Sequence, residues 1–327
     1  MSRPVSSHPP GQGFFALLFS RPYLLLVLAP MFWGGNIVSG KLAVGNVDPF
    51  VLVVGRWAGA ILIIVPLAWP HLSRDWKKIR PSLPLLALFG IFGFTGFNVL
   101  MYNSSLYTSA INGSIEQALI PVMVLLGNFL IFAVRPKLLQ VLGLVLTIVG
   151  VILVATHGEP GRILALDVNI GDAMVLLACF FYASYSLALR FRPDVHWLSF
   201  LAVTSLFALV AAVLAQGFIG GGMARFFSLL PQITSRGWLI IIYVMSFPSI
   251  LAQLFYARGV EIVGPNRASI FINLLPVFGT LLSVIIVGES FQLYHAAASV
   301  LVILGIILSE YSIRNTPAVK ISGNKNA

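Results

Sequence analysis

The chain has 327 residues, of which 58% are hydrophobic and only 9% charged, and it carries a net charge of +10 with a mean hydropathy of +0.96. Soluble domains carry about 25% charged residues, so these figures exclude a soluble globular protein and define an integral membrane protein. The basic residues sit singly or in short clusters between apolar runs, a pattern that sets membrane topology rather than a nucleic-acid surface. The single cysteine, Cys179, excludes an internal disulfide and a cysteine metal cluster and reads as a packing residue.

Residues 1–21 form a lead-in whose apolar patch, Phe14 to Phe19, is too short for a secretory core; it reads as cytoplasmic or interfacial. A bilayer crossing takes roughly 20 apolar residues. Runs of that size are expected at 23–44, 49–70, 83–106, 109–134 and 138–156, then at 170–189, 196–217, 238–257, 265–287 and 291–311. The stretch 157–169, with His157, Glu159, Pro160, Gly161, Arg162 and Asp167, is the break between halves, and 312–327 is a tail. The fold expected is an all-α integral membrane protein with ten transmembrane helices as two inverted five-helix repeats, over 22–156 and 170–311.

Lysine and arginine give the orientation, because they are retained on the cytoplasmic side. With the N-terminus inside, the cytoplasmic set is Arg3, Arg21, Arg74, Lys77, Lys78, Arg80, Arg135, Lys137, Arg190, Arg192, Arg258, Arg267, Arg314, Lys320 and Lys325, and the outer set only Lys41, Arg162, Arg225 and Arg236. Both termini are then cytoplasmic, and an odd number of helices per half inverts one half relative to the other.

The halves also share sequence. Ser109-Ala-Ile-Asn-Gly-Ser-Ile-Glu-Gln-Ala-Leu-Ile-Pro121 aligns without a gap to Gly264-Pro-Asn-Arg-Ala-Ser-Ile-Phe-Ile-Asn-Leu-Leu-Pro276, pairing Ser114-Ile115 with Ser269-Ile270 and Pro121 with Pro276. Each proline frees a backbone carbonyl and bends its helix. Phe32-Trp33 and Lys41 pair with Phe181-Tyr182 and Arg190 at constant spacing, and Tyr102 with Tyr256. Inverted repeats with bent helices meeting at mid-membrane are a transporter signature.

Ala29-Pro-Met-Phe-Trp-Gly-Gly-Asn36 resembles the first-helix motif of EamA-type proteins of the drug/metabolite transporter superfamily. Pro49 with Arg56 and Ala60 is similar to the second-helix pattern, and Tyr102-Asn-Ser-Ser-Leu-Tyr-Thr-Ser-Ala110 to the turn between helices three and four. Gly171-Asp172, Gly264-Pro265, Pro276, Gly288-Glu289 and Gly305 continue the resemblance to about Glu310. It departs at Arg135-Pro136, where a Gly-Glu pair is usual, and at Tyr182, where Trp is common. The resemblance implies ten helices in two inverted repeats, a plasma (inner) membrane location, and export or exchange of amino acids, related metabolites or drugs.

Glu116 stands in a span with no other formal charge, where a carboxylate costs at least roughly 2.5 kcal/mol unless it faces protein or water. Two roles fit it, binding a substrate amine or carrying a proton; a helix–helix hydrogen bond is the rival. Gln117, Asn98 and Asn273 add hydrogen-bonding groups at similar depth, as solute contacts or as interhelical glue. Arg56 lies about two turns into the second span. There it meets a substrate carboxylate or Glu116, or else it snorkels to the headgroups. Trp33, Tyr102, Tyr182, Tyr185, Tyr243 and Tyr256 give apolar walls with polar tips, suited to an amphipathic solute. Pro121 and Pro276 are assigned to gating. Lys41 reads as an interface anchor, Arg258 with Glu261 as a surface pair, and Gly55 with Gly59 as a helix-packing or dimerisation face.

The histidines show no ligand spacing, and no nucleophile elbow, zinc-protease helix or phosphate loop is present. No enzyme, metal or cofactor is expected. The expected function is a secondary transporter of a small organic metabolite, an amino acid or related compound, exported by alternating access. Its partners are the solute, the lipid bilayer and protons, as a monomer or homodimer with no nucleic acid. The alternatives are an uncoupled facilitator or exchanger, a membrane-embedded enzyme or a structural membrane protein.

Overall fold

The computed structural model describes residues 18–159 and 169–314. Arg3, most of the Phe14 to Phe19 patch, Pro160, Gly161, Arg162, Asp167, Lys320 and Lys325 lie outside the described residues. Helices run Pro22–Ala43 (α1), Pro49–Ile79 (α2), 83–104 (α3), Ala110–Phe132 (α4), Leu138–Ala155 (α5), Ile170–Ala188 (α6) and Trp197–Phe218 (α7). A short helix, Gly222–Leu229 (α8), precedes Ser235–Val263 (α9), 265–287 (α10) and Leu293–Arg314 (α11). No strand occurs among the described residues, and 8 helical stretches are long and apolar enough to cross a membrane.

One of those stretches, Pro49–Ser104, has 56 residues. At 1.5 Å per residue a straight helix would hold residues 42 apart at roughly 60 Å. Arg56 nevertheless bonds Asn98 at 2.7 Å across that separation, so the chain reverses at the single turn Arg80–Ser82 and α3 runs back along α2. The expected span 49–70 stops short of the helix, which continues through Pro66 and Pro70 to Ile79. Its last turn carries Lys77 and Lys78, whose charge complements the helix C-terminus.

Local signals fix the helix starts. Asp48 accepts from the Phe50 and Val51 N–H groups ahead of Pro49, which has no N–H to leave unpaired. Thr234 accepts from the Gly237 N–H and opens α9 in the same way. Lys41, expected as an interface anchor, instead donates its Nζ to the Ser105 and Thr108 carbonyls at 3.1 and 2.8 Å, where it neutralises the free carbonyl end of α3. Arg258 and Glu261 pair at 2.7 Å as expected.

The helices pack in a repeating scheme. Helix α2 lies against α7, α5 against α11, and α4 against α10. Helix α1 packs on α9 and α10, and α6 packs on α3 and α4. Small residues permit the closest crossings: a Cβ on Gly34 would stand 2.8 Å from the Gly279 backbone nitrogen, and one on Gly90 equally close to that of Ala208. Gly55 and Gly59 face Ile241 and Met245 of α9, so this pair is used inside the chain. Cys179 is buried with Ile37, Met101 and Val175, as its apolar neighbours imply.

Candidate functional site

Four interruptions in these helices define the centre. Pro121 cannot donate to the Gln117 carbonyl, so α4 breaks between Glu116 and Leu119, and the Ile120 N–H takes that carbonyl instead at 3.0 Å. Pro276 breaks α10 between Ile272 and Leu275 in the same way. Helix α3 widens to i→i+5 bonding over Phe89–Gly96, and α9 does so over Phe247–Leu251, where Pro248 removes a donor.

A cavity of about 120 Å³ lies where these interruptions meet, several times the roughly 10–15 Å³ that holds one water. Gln117, Ala118 and Pro121 of the α4 break and Ile272, Asn273 and Pro276 of the α10 break line it. Trp33 and Asn36 of α1, Arg56 and Trp57 of α2, Phe94, Phe97 and Asn98 of α3, Tyr182 of α6, and Ser249 and Gln253 of α9 complete much of the wall.

Among the described residues, Arg56 is the one charged residue in that lining, and it is 5% exposed. Its Nε donates to Ser249 Oγ at 2.7 Å, and its Nη1 lies 2.8 Å from Asn36 Oδ1, 2.7 Å from Asn98 Oδ1 and 2.7 Å from Tyr102 Oη. Tyr102 in turn donates to Asn36 Oδ1 at 2.6 Å, Asn98 donates to the Phe94 carbonyl, and Ser249 to the Val244 carbonyl. Three helices, α1, α3 and α9, therefore hold the guanidinium through neutral groups alone. Its carbon lies 5.0 Å from the Trp57 ring centre, and Trp57 stacks on Phe94 at 4.9 Å. A buried cation held by neutral groups with no counter-charge is positioned by its hydrogen bonds and uncompensated in charge.

Glu116 occupies a different place. It is completely buried, does not line the cavity, and neither carboxylate oxygen has a hydrogen-bond partner among the described residues. The charged neighbour acting on it is Asp172, a second buried acid. Arg56 and Glu116 do not meet: every side-chain partner of the guanidinium is neutral.

Of the residues singled out from the sequence, Trp33, Arg56, Asn98, Gln117, Pro121, Tyr182, Asn273 and Pro276 come together around the cavity. Tyr102 stands behind Arg56 as its partner. Tyr185 packs against Tyr182 and Phe89, and Tyr256 against Trp33. Tyr243 stacks on Phe247 and lies 3.3 Å from the Phe32 carbonyl. Sequence reasoning missed Asn36, Trp57, Ser249 and Gln253. Asn36 ends the Trp-Gly-Gly-Asn motif and Trp57 adjoins Arg56; both positions carried a usable signal.

A second polar feature sits at the start of α4. Glu289 follows Gly288, whose φ of 78° suits glycine, and its two carboxylate oxygens accept from the Ala110 and Ile111 N–H groups at 2.8 and 2.9 Å. With Ser109 accepting from the Asn112 N–H at 3.0 Å, the start of α4 has its donors satisfied and a negative charge on its positive end. In the first half, α4 likewise ends on a left-handed residue, Ala133 with φ 55°, but Val134-Arg135-Pro136 follows and no acid is present to clasp α10.

These features define the class: a polytopic helical membrane protein with a largely apolar cavity, carrying a few polar groups, lined by residues of both halves. The EamA-like transporter family model matches twice, over residues 20–156 and 169–311, and the chain belongs to that family. It is similar to the uncharacterized transporter YyaM of Bacillus subtilis, 27% identical over 295 residues that cover 89% of this chain and 94% of the relative. It is also similar to the uncharacterized transporter YrdR of the same organism, at 23% identity covering 88% and 90%. An uncharacterized transporter of Archaeoglobus fulgidus is 23% identical, covering 89% and 97%. A protein crystal structure shares the fold with a TM-score of 0.59 at 18% identity, covering 90% of this chain and 98% of its own.

Proposed function

We propose that the chain is a secondary transporter that moves a small organic metabolite, an amino acid or a related carboxylate-bearing compound, outward across the plasma membrane by alternating access. The observation that carries this reading is the cavity bounded by both proline breaks, since broken helices meeting at a polar site between repeats are how such carriers bind solute.

The arrangement proposed is ten passes in two inverted five-helix repeats, 22–156 and 170–311, with both termini cytoplasmic. Two features support the count: the reversal of Pro49–Ser104 at Arg80–Ser82, and the 22 residues of α11. The packing scheme supports the repeat. If α1 to α5 correspond to α6, α7, α9, α10 and α11, exchanging the halves maps the α1–α9 and α1–α10 contacts onto α6–α3 and α6–α4. The α2–α7, α4–α10 and α5–α11 contacts map onto themselves.

In this reading Arg56 and the lining amides hold the solute, while Pro121 and Pro276 provide the hinges. Glu116 is assigned to proton carriage rather than solute contact, because it is buried behind the lining. Glu289 clasps α4 at the outer end, and its release accompanies outward opening. The test is counterflow: purified protein in proteoliposomes, loaded with each of a panel of unlabelled metabolites, should take up the labelled counterpart saturably for a few of them. Uptake equal to protein-free vesicles for every solute would reject the reading.

A further inference from the structure

The guanidinium of Arg56 has hydrogen bonds on one side only. Nε is engaged by Ser249, and Nη1, with two protons, already has three acceptors around it. Nη2 has no hydrogen-bond partner among the described residues, although the residue is 5% exposed and lines the cavity. Beside it, the buried Trp57 Nε1–H also lacks an acceptor among the described residues. Two donor groups at one end of the cavity thus stand without acceptors.

Charge points the same way. Among the described residues, no Asp or Glu lines the cavity. The described ion pairs, Lys78–Asp194, Arg225–Asp48 and Arg258–Glu261, leave Arg56 out. Asn36, Asn98, Tyr102 and Ser249 orient dipoles toward the guanidinium without cancelling its charge. A cation buried in an apolar span carries a desolvation cost, and an anionic ligand that pairs with it relieves that cost. Arginine is also the side chain whose planar fork matches a carboxylate. At the rest of the wall, Gln117, Gln253 and Asn273 are neutral amides, so an ammonium group there would find no counter-charge. Trp33, Phe97 and Tyr182 offer flat apolar surface.

We infer that Arg56 receives the solute's carboxylate on Nη2, so that the cavity takes small organic anions with a flat apolar body in preference to amines and zwitterions. This rests on the reading of the cavity as the solute site and narrows it from amino acids to carboxylates without a charged amine.

Three probes that share a phenylethyl body separate the possibilities: hydrocinnamate as the anion, phenylalanine as the zwitterion and phenethylamine as the cation. Each is titrated at neutral pH against the intrinsic tryptophan fluorescence of the full chain in detergent, since Trp33 and Trp57 line the site. Hydrocinnamate is expected to bind about tenfold tighter than phenylalanine, and phenethylamine not to bind. Asn98→Asp sets a carboxylate against Nη1 while leaving the guanidinium in place, and it should weaken hydrocinnamate about tenfold at an unchanged melting temperature. Arg56→Lys, which keeps the charge and loses the fork, should bind it with intermediate affinity.

The inference is overturned if hydrocinnamate gives no saturable response, if phenylalanine or phenethylamine binds as tightly, or if Asn98→Asp leaves its affinity unchanged. Counterflow of labelled hydrocinnamate reads the other claim separately. Binding of hydrocinnamate without counterflow of any solute in the panel rejects the transporter and leaves the anion site standing, whereas counterflow of phenethylamine alone keeps the transporter and rejects the anion site.

Discussion

Arg56 and Glu116 are both buried ionisable residues in apolar helices, and the structure treats them in opposite ways. Arg56 is held by Asn36, Asn98, Tyr102 and Ser249 from three helices and faces a cavity. Glu116 has no hydrogen-bond partner among the described residues and sits behind the cavity wall. The cost of burying a charge is therefore a poor guide to its role. What separates the two is organisation: one side chain has polar neighbours arranged around it and a donor left over, the other has neither, and on that difference the proposal assigns the solute to Arg56.

The largest effect expected is the removal of the organised charge. Arg56→Leu strands four polar partners, and solute exchange in proteoliposomes should fall at least about 100-fold, with a loss of several kcal/mol in stability. Near-normal exchange would break the comparison. Next is a carboxylate that does have partners: Glu289→Ala removes both bonds to the α4 N-terminus. It should cost about 1–2 kcal/mol, read as a lower melting temperature in detergent. Tyr102→Phe keeps the ring and removes the hydroxyl between Arg56 and Asn36, with an expected cost of about 1 kcal/mol and a measurable rise in solute KM. The smallest effect on solute handling belongs to Glu116→Gln. Its KM in counterflow should stay within about twofold of wild type, while accumulation driven by an imposed pH gradient is lost. A large KM change would place Glu116 at the solute after all.

The sequence made some of this plain and hid the rest for physical reasons. Apolar run lengths located the helices to within a few residues because bilayer thickness sets them, and the aligned prolines marked both breaks because a missing N–H is a local property. The second span was cut short at residue 70 although its helix runs to Ile79, because prolines that an amphipathic helix tolerates look like stops. Arg56 could not be resolved from the chain alone, since its partners lie between 20 and 193 positions away. Glu289 was visible only as part of a motif: its partners are backbone N–H groups 178 and 179 positions away, and a backbone donor leaves no trace in residue identity. Glu116 drew attention through depth, which sets a cost but not the direction a side chain faces.

The central claim is that the guanidinium, and not the buried carboxylate, touches the solute. The most direct measurement is KM for one solute that shows counterflow, compared between Arg56→Lys and Glu116→Gln in proteoliposomes at matched protein density. A rise of about tenfold or more in Arg56→Lys, with Glu116→Gln at the wild-type value, is the result the structure predicts. An unchanged KM in Arg56→Lys together with a large rise in Glu116→Gln would contradict it.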